Sequence, residues 1–178
     1  MVKEPRAGRV KTRLGRDIGM VPAAWWFRHQ VAHTIRALGD ARWETVLAVT
    51  PDGARLPRAA LARMGQGRGD LGVRMARIFR TLPPGPAVIV GADIPGSRRA
   101  HVARAFAALG GHEAVFGPAT DGGYWLVGMK RVRALPGGLF EGVRWSSRHA
   151  LADSIATLGG MRVALVDRLS DVDRAGDL

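Results

Sequence analysis

The sequence predicts an α/β protein with a largely parallel sheet, and three observations carry that expectation. Short apolar runs alternate with segments of helical spacing along the whole chain, the signature of strands interleaved with helices. Several runs, such as Ala87–Val90, are continuously apolar, as strands covered on both faces are. The 178 residues are enough for one domain that buries roughly 70% of its unfolded surface, so 1–178 is read as a single domain.

The elements follow in order. Residues 22–38 read as a helix, with Pro22 in its first turn, Trp26, Val31, Ile35 and Leu38 as apolar positions, and Gly39 to end it. Trp43–Val49 is rich in β-formers and closes on Thr-Pro-Asp-Gly, a turn signal. Residues 57–64 suggest a short helix. Leu71–Leu82 reads as another, since Leu71, Met75, Ile78, Phe79 and Leu82 recur at helical spacing. Ala87–Val90 is a buried strand, and Ser97 is placed to cap a helix running to Leu109 before Gly110-Gly111. Ala114–Phe116, Tyr124–Met129 and Val163–Val166 read as strands, and 147–158 as the last helix.

Composition narrows the chemistry. With no cysteine, a disulfide framework, a zinc ribbon and a cysteine nucleophile are excluded. No apolar run approaches the roughly 18 residues of a membrane span, and no apolar stretch follows Met-Val-Lys-Glu-Pro-Arg as in a signal peptide, so the cytoplasm is the expected location. The net charge of +12 is of the kind nucleic-acid binders carry. Yet of 27 basic residues only Lys3, Lys11 and Lys130 are lysine, and the arginines are scattered from Arg6 to Arg174. That pattern fits solvated surface charge plus a local anion site, and argues against nucleic acid as the partner.

Ligands of open α/β sheets sit outside the carboxyl ends of strands, so the loops after strands are where chemistry is sought. The first such loop is Lys3-Glu-Pro-Arg-Ala-Gly-Arg-Val-Lys-Thr-Arg13. Gly8 permits close backbone approach, and Lys3, Arg6, Arg9, Lys11 and Arg13 offer cations, which together suit a phosphate; the alternative is a plain basic N-terminus. The spacing of a P-loop is absent. The second is Val90-Gly-Ala-Asp-Ile-Pro95, where Asp93 can hold a divalent metal against a pyrophosphate, or else close an Asx turn before the next helix. The third is Gly117-Pro-Ala-Thr-Asp-Gly-Gly-Tyr-Trp125. It is either a hairpin turn or a substrate loop in which Gly122 and Gly123 admit a bulky ligand, Asp121 accepts hydroxyl hydrogen bonds and Tyr124 or Trp125 offers a face. The acidic tail Asp171-Val-Asp173 either completes a metal site with Asp93 or is an exposed acidic end. His29 and His33, four apart on a helix, lack a third ligand and are read as a surface or core pair.

Taken together, these loops resemble the small bacterial glycosyltransferase-like proteins of the nucleotide-diphospho-sugar transferase (GT-A) superfamily, a group associated with arsenosugar biosynthesis. They are also similar to 2-phospholactate guanylyltransferase and the molybdenum-cofactor nucleotidyltransferase. The resemblance spans nearly the whole chain. It rests on Lys3-x-Pro5-x-x-Gly8-x-Val10-Lys11-Thr12-Arg13-Leu14, on Gln66 with Gly69-Asp70-Leu71-Gly72-x-Arg74-Met75, and on Gly91-x-Asp93-x-Pro95. Further along it includes Gly117-Pro118-Ala119-x-Asp121-Gly122-Gly123-Tyr124, Leu139-Phe140 with Trp145-Ser146, and Asp171-Val172-Asp173 with Asp177-Leu178.

The resemblance implies a three-layer α/β/α fold with a mostly parallel mixed sheet, and a transferase using a nucleotide-activated substrate. Gly8, Lys11, Arg13, Gly72 and Arg74 would meet the nucleotide phosphates. Asp93 and Asp173 would hold Mg²⁺ or Mn²⁺, with Asp93 and Asp121 as catalytic residues, and Gly122, Gly123, Tyr124 and Trp145 would line the substrate. The partners implied are a nucleoside-diphosphate sugar or a nucleoside triphosphate, and a small-molecule acceptor. Glycosyl transfer is the leading reading, nucleotidyl transfer with loss of pyrophosphate the alternative, and an inactive nucleotide-binding protein a further one. The chain departs from the pattern twice. Glycosyltransferases of this superfamily more often show Asp-x-Asp where this chain has Gly91-Ala92-Asp93. An apolar strand ordinarily precedes the Lys-x-Pro loop, whereas here Met1-Val2 stands in its place, so a shortened N-terminal strand and a natural start upstream of Met1 are expected.

Overall fold

The computed structural model describes residues 1–54, 56 and 61–178. The chain is mixed α/β, as expected, and separates into two compact units. The first comprises Met1–Gln66, Gly91–Arg99 and Asp171–Leu178; the second comprises Gly67–Val90 and Ala100–Ser170.

In the first unit, β1 (Val2–Lys3), β2 (Val46–Thr50) and β3 (Ala62–Gly65) form a wholly parallel sheet in that order, with Val2 opposite Val49 and Val46 opposite Ala62. Helices α1 (Thr12–Ile18) and α2 (Met20–Leu38) accompany it. Helix α2 turns Ala24, Phe27 and Val31, spaced by three and four residues, into a core with Val2, Leu47, Val49 and Ala92. A smaller cluster joins Leu14 of α1, Ala23 of α2 and Val172 near the C-terminus. Buried polar groups here are matched. Gln66 donates from Nε2 to the carbonyls of Ala48 (2.9 Å) and Val2 (3.3 Å), and Thr34 donates to Ala92 O (3.3 Å).

In the second unit, the sheet runs β4 (Ala87–Val90), β6 (Tyr124–Met129), β5 (Ala114–Pro118), β7 (Val163–Leu165). Strand β6 is antiparallel to both its neighbours, while β7 is parallel to β5, so three of the four strands point the same way. Helices α3 (Leu71–Thr81), α4 (Arg99–Gly111) and α5 (Ala150–Ala156) complete the unit. Asp70 caps α3, its carboxylate accepting the Val73 N–H at 2.8 Å. Met75, Ile78 and Phe79 are buried as the periodicity requires, whereas Leu71 at the first turn is 45% exposed.

Four expectations are corrected. The helix expected over 57–64 covers 57–60, which lie outside the described residues, and 62–64, which belong to β3; Ala and Arg carry helical propensity, but the parallel ladder with β2 overrides it. The strand expected from Trp43 begins at Val46, because Trp43 finishes α2 instead, its indole N–H donating to Leu38 O at 3.0 Å. Ser97 does not cap α4; its hydroxyl donates back to Ile94 O at 2.8 Å and the helix starts at Arg99. The last helix is confined to Ala150–Ala156. Among the described residues, α1, β1, β3 and the 3-10 turn Ala175–Asp177 are elements the periodicity does not announce.

Phe79 is 1% exposed, so Phe79→Ala is expected to cost about 3–5 kcal/mol in urea unfolding, while Leu71→Ala costs under about 1 kcal/mol. Equal losses at the two positions would refute the assignment of the α3 core face.

Candidate functional site

The first group of functional side chains belongs to the first unit. Beyond β1 the chain makes a turn in which Arg9 N–H donates to Arg6 O (3.0 Å), with Gly8 exposed at φ +72°. Glu4 and Arg6 pair at 2.7 Å. Val10 then buries, and Lys11 opens α1 in a left-handed conformation, φ 45° and ψ 46°, which costs a non-glycine residue roughly 1–2 kcal/mol.

The Lys11 side chain is only 6% exposed, and its ammonium meets three carboxylates: Asp93 at 2.6 Å, Asp173 at 3.3 Å and Asp171 at 3.9 Å. Arg13, two residues along, reaches Asp173 at 2.6 Å. Burial by itself would lower the Lys11 pKa. The charge and hydrogen bond of Asp93, with the charges of Asp173 and Asp171, outweigh burial and hold it above the ordinary lysine value. Lys11 is therefore a fixed cation.

The acidic side of the cluster is also built from local rules. Asp93 follows β4 and sits beside Ala92, which is in the core. Val172 is buried with Leu14 and Ala23, while its neighbours Asp171 and Asp173 both reach Lys11. Asp177 secures this segment by accepting the N–H groups of Asp173 (2.9 Å) and Arg174 (2.8 Å), which hold its carboxyl below the usual range. Asp17 of α1 accepts the Ala175 N–H at 3.0 Å.

A hard cation takes oxygen ligands, but among the described residues no group of three or more His, Asp or Glu side chains is placed to hold a metal ion; Asp93, Asp171 and Asp173 converge on the Lys11 ammonium instead. Asp93 and Asp173, the two expected ligands, are brought together, and Asp171 joins them. The alternation Asp-Val-Asp is the sequence signal for Asp171.

The second group belongs to the second unit. Asp121, Gly122 and Gly123 lie in the connection between antiparallel β5 and β6, closed by Ala119 N–H donating to Gly123 O (2.9 Å). Asp121 accepts the Gly123 N–H through Oδ1 at 2.9 Å, an Asx turn. A side chain at Gly122 (φ +87°) would collide with the Arg148 backbone, and Leu151 N–H donates to Gly122 O at 3.1 Å. The space at Gly122 is thus taken by the protein's own chain rather than left for a ligand.

Tyr124 is hydrogen-bonded through its hydroxyl to Ser154 Oγ at 3.1 Å and stacks edge-on to Phe116 and Trp145, the latter with centroids 6.4 Å apart. Burial pushes its pKa up against the pull of Ser154, so it is a neutral phenol and no general base. Trp145 packs edge-on to Phe140, and its indole N–H is buried with no partner among the described residues. Gly72, expected at the phosphates, is buried against this cluster: a methyl there would fall 2.6 Å from Phe140 O and 2.9 Å from the Trp145 ring. Arg74 donates to Gly69 O at 2.8 Å and braces its own loop. The segment carrying Trp145 is held by Arg144, which pairs bidentately with Asp153 at 2.8 Å.

Among the described residues no helix is long and apolar enough to cross a membrane. The chain belongs to the bacterial family described as "Uncharacterized protein conserved in bacteria (DUF2064)", whose profile matches residues 33–147. It is also similar to a solved structure from Desulfovibrio desulfuricans G20, provisionally named a nucleotide-diphospho-sugar transferase. The two share 29% identity and a TM-score of 0.84, over 97% of this chain and 80% of that one, and the fold is therefore that of the nucleotide-diphospho-sugar transferases. No curated protein matches the chain.

Two outcomes test this description. Gly72→Ala is expected to destabilise by about 1–3 kcal/mol through overpacking against Phe140 and Trp145, measured by chemical unfolding. Arg144 lowers the Asp153 pKa to about 2, through its side-chain and then its backbone hydrogen bond. A depressed carboxylate stabilises above its unfolded pKa near ~4 and loses that contribution as pH falls toward the folded value. Asp153→Asn should therefore lower the Tm at pH 7, and the gap to wild type should close on acidification to about pH 2. A gap that stays constant would contradict the pairing.

Proposed function

We propose that the protein is a metal-dependent transferase acting on a nucleotide-activated substrate, and specifically a glycosyltransferase using a nucleoside-diphosphate sugar. The observation that carries this reading is the meeting of Lys11 and Arg13 with Asp93 and Asp173. Likeness to a structure named for this chemistry supports glycosyl transfer ahead of nucleotidyl transfer.

In glycosyl transfer an acceptor hydroxyl attacks the anomeric carbon, the bond to the diphosphate oxygen breaks, and negative charge gathers on the departing nucleoside diphosphate. Lys11 and Arg13, on the loop that also offers the exposed Gly8 backbone, bind and neutralise those phosphates. Asp93 and Asp173 would hold Mg²⁺ or Mn²⁺, which supplies Lewis-acid stabilisation of the leaving diphosphate. Asp121 keeps Oδ1 on the Gly123 amide and offers its other oxygen to a hydroxyl of the sugar or acceptor. Within the second unit, Tyr124 and Trp145 would line a substrate, with the buried Trp145 N–H as a donor.

Incubation of the purified protein with labelled sugar nucleotides and with nucleoside triphosphates, in the presence of Mn²⁺, tests the assignment. Nucleoside diphosphate release is expected. Pyrophosphate release would assign nucleotidyl transfer, of the kind the resembling guanylyltransferases perform. Nucleotide binding without turnover of either panel would leave an inactive binding protein.

Two variants address the residues. Asp93→Ala should abolish Mn²⁺-dependent nucleotide binding while the circular dichroism spectrum is kept. Arg13→Ala should weaken nucleotide binding by about 1.5–3 kcal/mol, the value of a hydrogen bond to a charged group, in isothermal titration.

A further inference from the structure

Helix α2 contains no acidic residue. One side of it is committed to the core through Ala24, Phe27 and Val31. The opposite side faces water. At about 100° per residue, Val21, Trp25, Arg28, His29, His33 and Arg36 fall within an arc of about 140°, and all six are exposed. This side is divided along its length. Val21 and Trp25, one turn apart in the first half, are each 63% exposed. Arg28, His29, His33 and Arg36 occupy the remainder. An exposed indole and a branched aliphatic chain gain by leaving water for an apolar phase. Arginines with no carboxylate on their own helix gain by meeting anions.

We infer that this side of α2 docks on an anionic lipid surface, with Val21 and Trp25 entering the boundary between headgroups and acyl chains and Arg28 and Arg36 meeting lipid phosphates. Tryptophan partitions to that boundary because its ring is apolar and its N–H polar. Each arginine close to an anionic bilayer strengthens binding about fivefold. Charge complementarity separates this occupant from the others. A second copy docking through the same side would set two acid-free faces against each other. A single-stranded nucleic acid would satisfy the arginines, but it stacks on open ring faces. The Trp25 ring already meets His29, with centroids 5.0 Å apart and planes tilted by 52°, and Val21 offers no ring at all. The inference stands apart from the transferase reading, because vesicle binding is measured without turnover.

The test is co-sedimentation of the full chain with vesicles of phosphatidylglycerol and, separately, of phosphatidylcholine. Binding to the anionic vesicles should exceed binding to the neutral ones by at least about tenfold and fall as salt is raised. Trp25→Ala should weaken it at least about fivefold, and Arg28→Gln with Arg36→Gln by about tenfold or more. Arg133→Gln with Arg168→Gln, which removes the same charge from exposed positions off this helix, should change it by less than about twofold. A second readout needs no variant to fold. Of the five tryptophans Trp25 alone is exposed, so phosphatidylglycerol brominated on its acyl chains should quench part of the wild-type emission. No binding to the anionic vesicles, or wild-type emission that stays unquenched, would overturn the inference. So would equal losses in the two double-arginine variants, since binding would then follow net charge and not α2. Capture of a labelled single-stranded oligonucleotide that depends on Trp25, without vesicle binding, would overturn it in favour of nucleic acid.

Discussion

A buried ammonium must be paired, and the pairing of Lys11 organises the first unit of this protein. Its partners come from the loop after β4 and from the C-terminal segment, the latter 162 residues away along the chain. Leaving the buried Lys11 ammonium alone would cost several kcal/mol, so its pairing ties together the N-terminal loop, the Asp93 loop and the tail. The left-handed backbone at Lys11 is tolerated because the three carboxylates fix where its side chain must go. Around this centre, the buried Val172 and the Asp177 and Asp17 carboxylates anchor the tail from its apolar and polar sides.

The electrostatics elsewhere follow a different rule. Arg42, Arg104, Arg144 and Arg162 each pair with an acidic side chain at the surface, at 2.8–3.0 Å. Such pairs contribute little to stability individually, but they brace loops. The Arg144–Asp153 pair spans the turn that carries Trp145 toward α5. The net charge of +12 is thus distributed among local braces and solvated side chains, and a small part of it is gathered where carboxylates concentrate.

The second unit is organised by close packing rather than charge. Gly72 and Gly122 are glycines because Phe140, Trp145 and the Arg148 backbone occupy the space a side chain would need. Both belong to the motifs on which the resemblance rests, and a reading from motif alone takes such glycines for ligand contacts. In this chain they set how closely α3 and the 140–148 segment approach, which fixes the position of Tyr124 and Trp145.

Apolar periodicity and turn chemistry were enough to specify the α/β class, the cores of α2 and α3, and strands β4 and β6 with their bounds, because those signals act between neighbours along the chain. The meeting of Asp93 with the acidic tail Asp171-Val-Asp173 was one of two readings of that tail, while the assignment of Lys11 and Arg13 to the same site came through the resemblance. Tertiary structure alone decided the rest. Strand β3 forms because β2 offers a ladder to a segment whose own propensity is helical. Trp43 and Ser97 leave the roles their types suggest because Leu38 and Ile94 present carbonyls within reach. Lys11 becomes an interior cation because three carboxylates, remote in sequence, arrive around it. Local propensity is a difference of about 1 kcal/mol or less per residue, while an unpaired buried charge or an unsatisfied strand costs more, so the longer-range term wins wherever the two disagree.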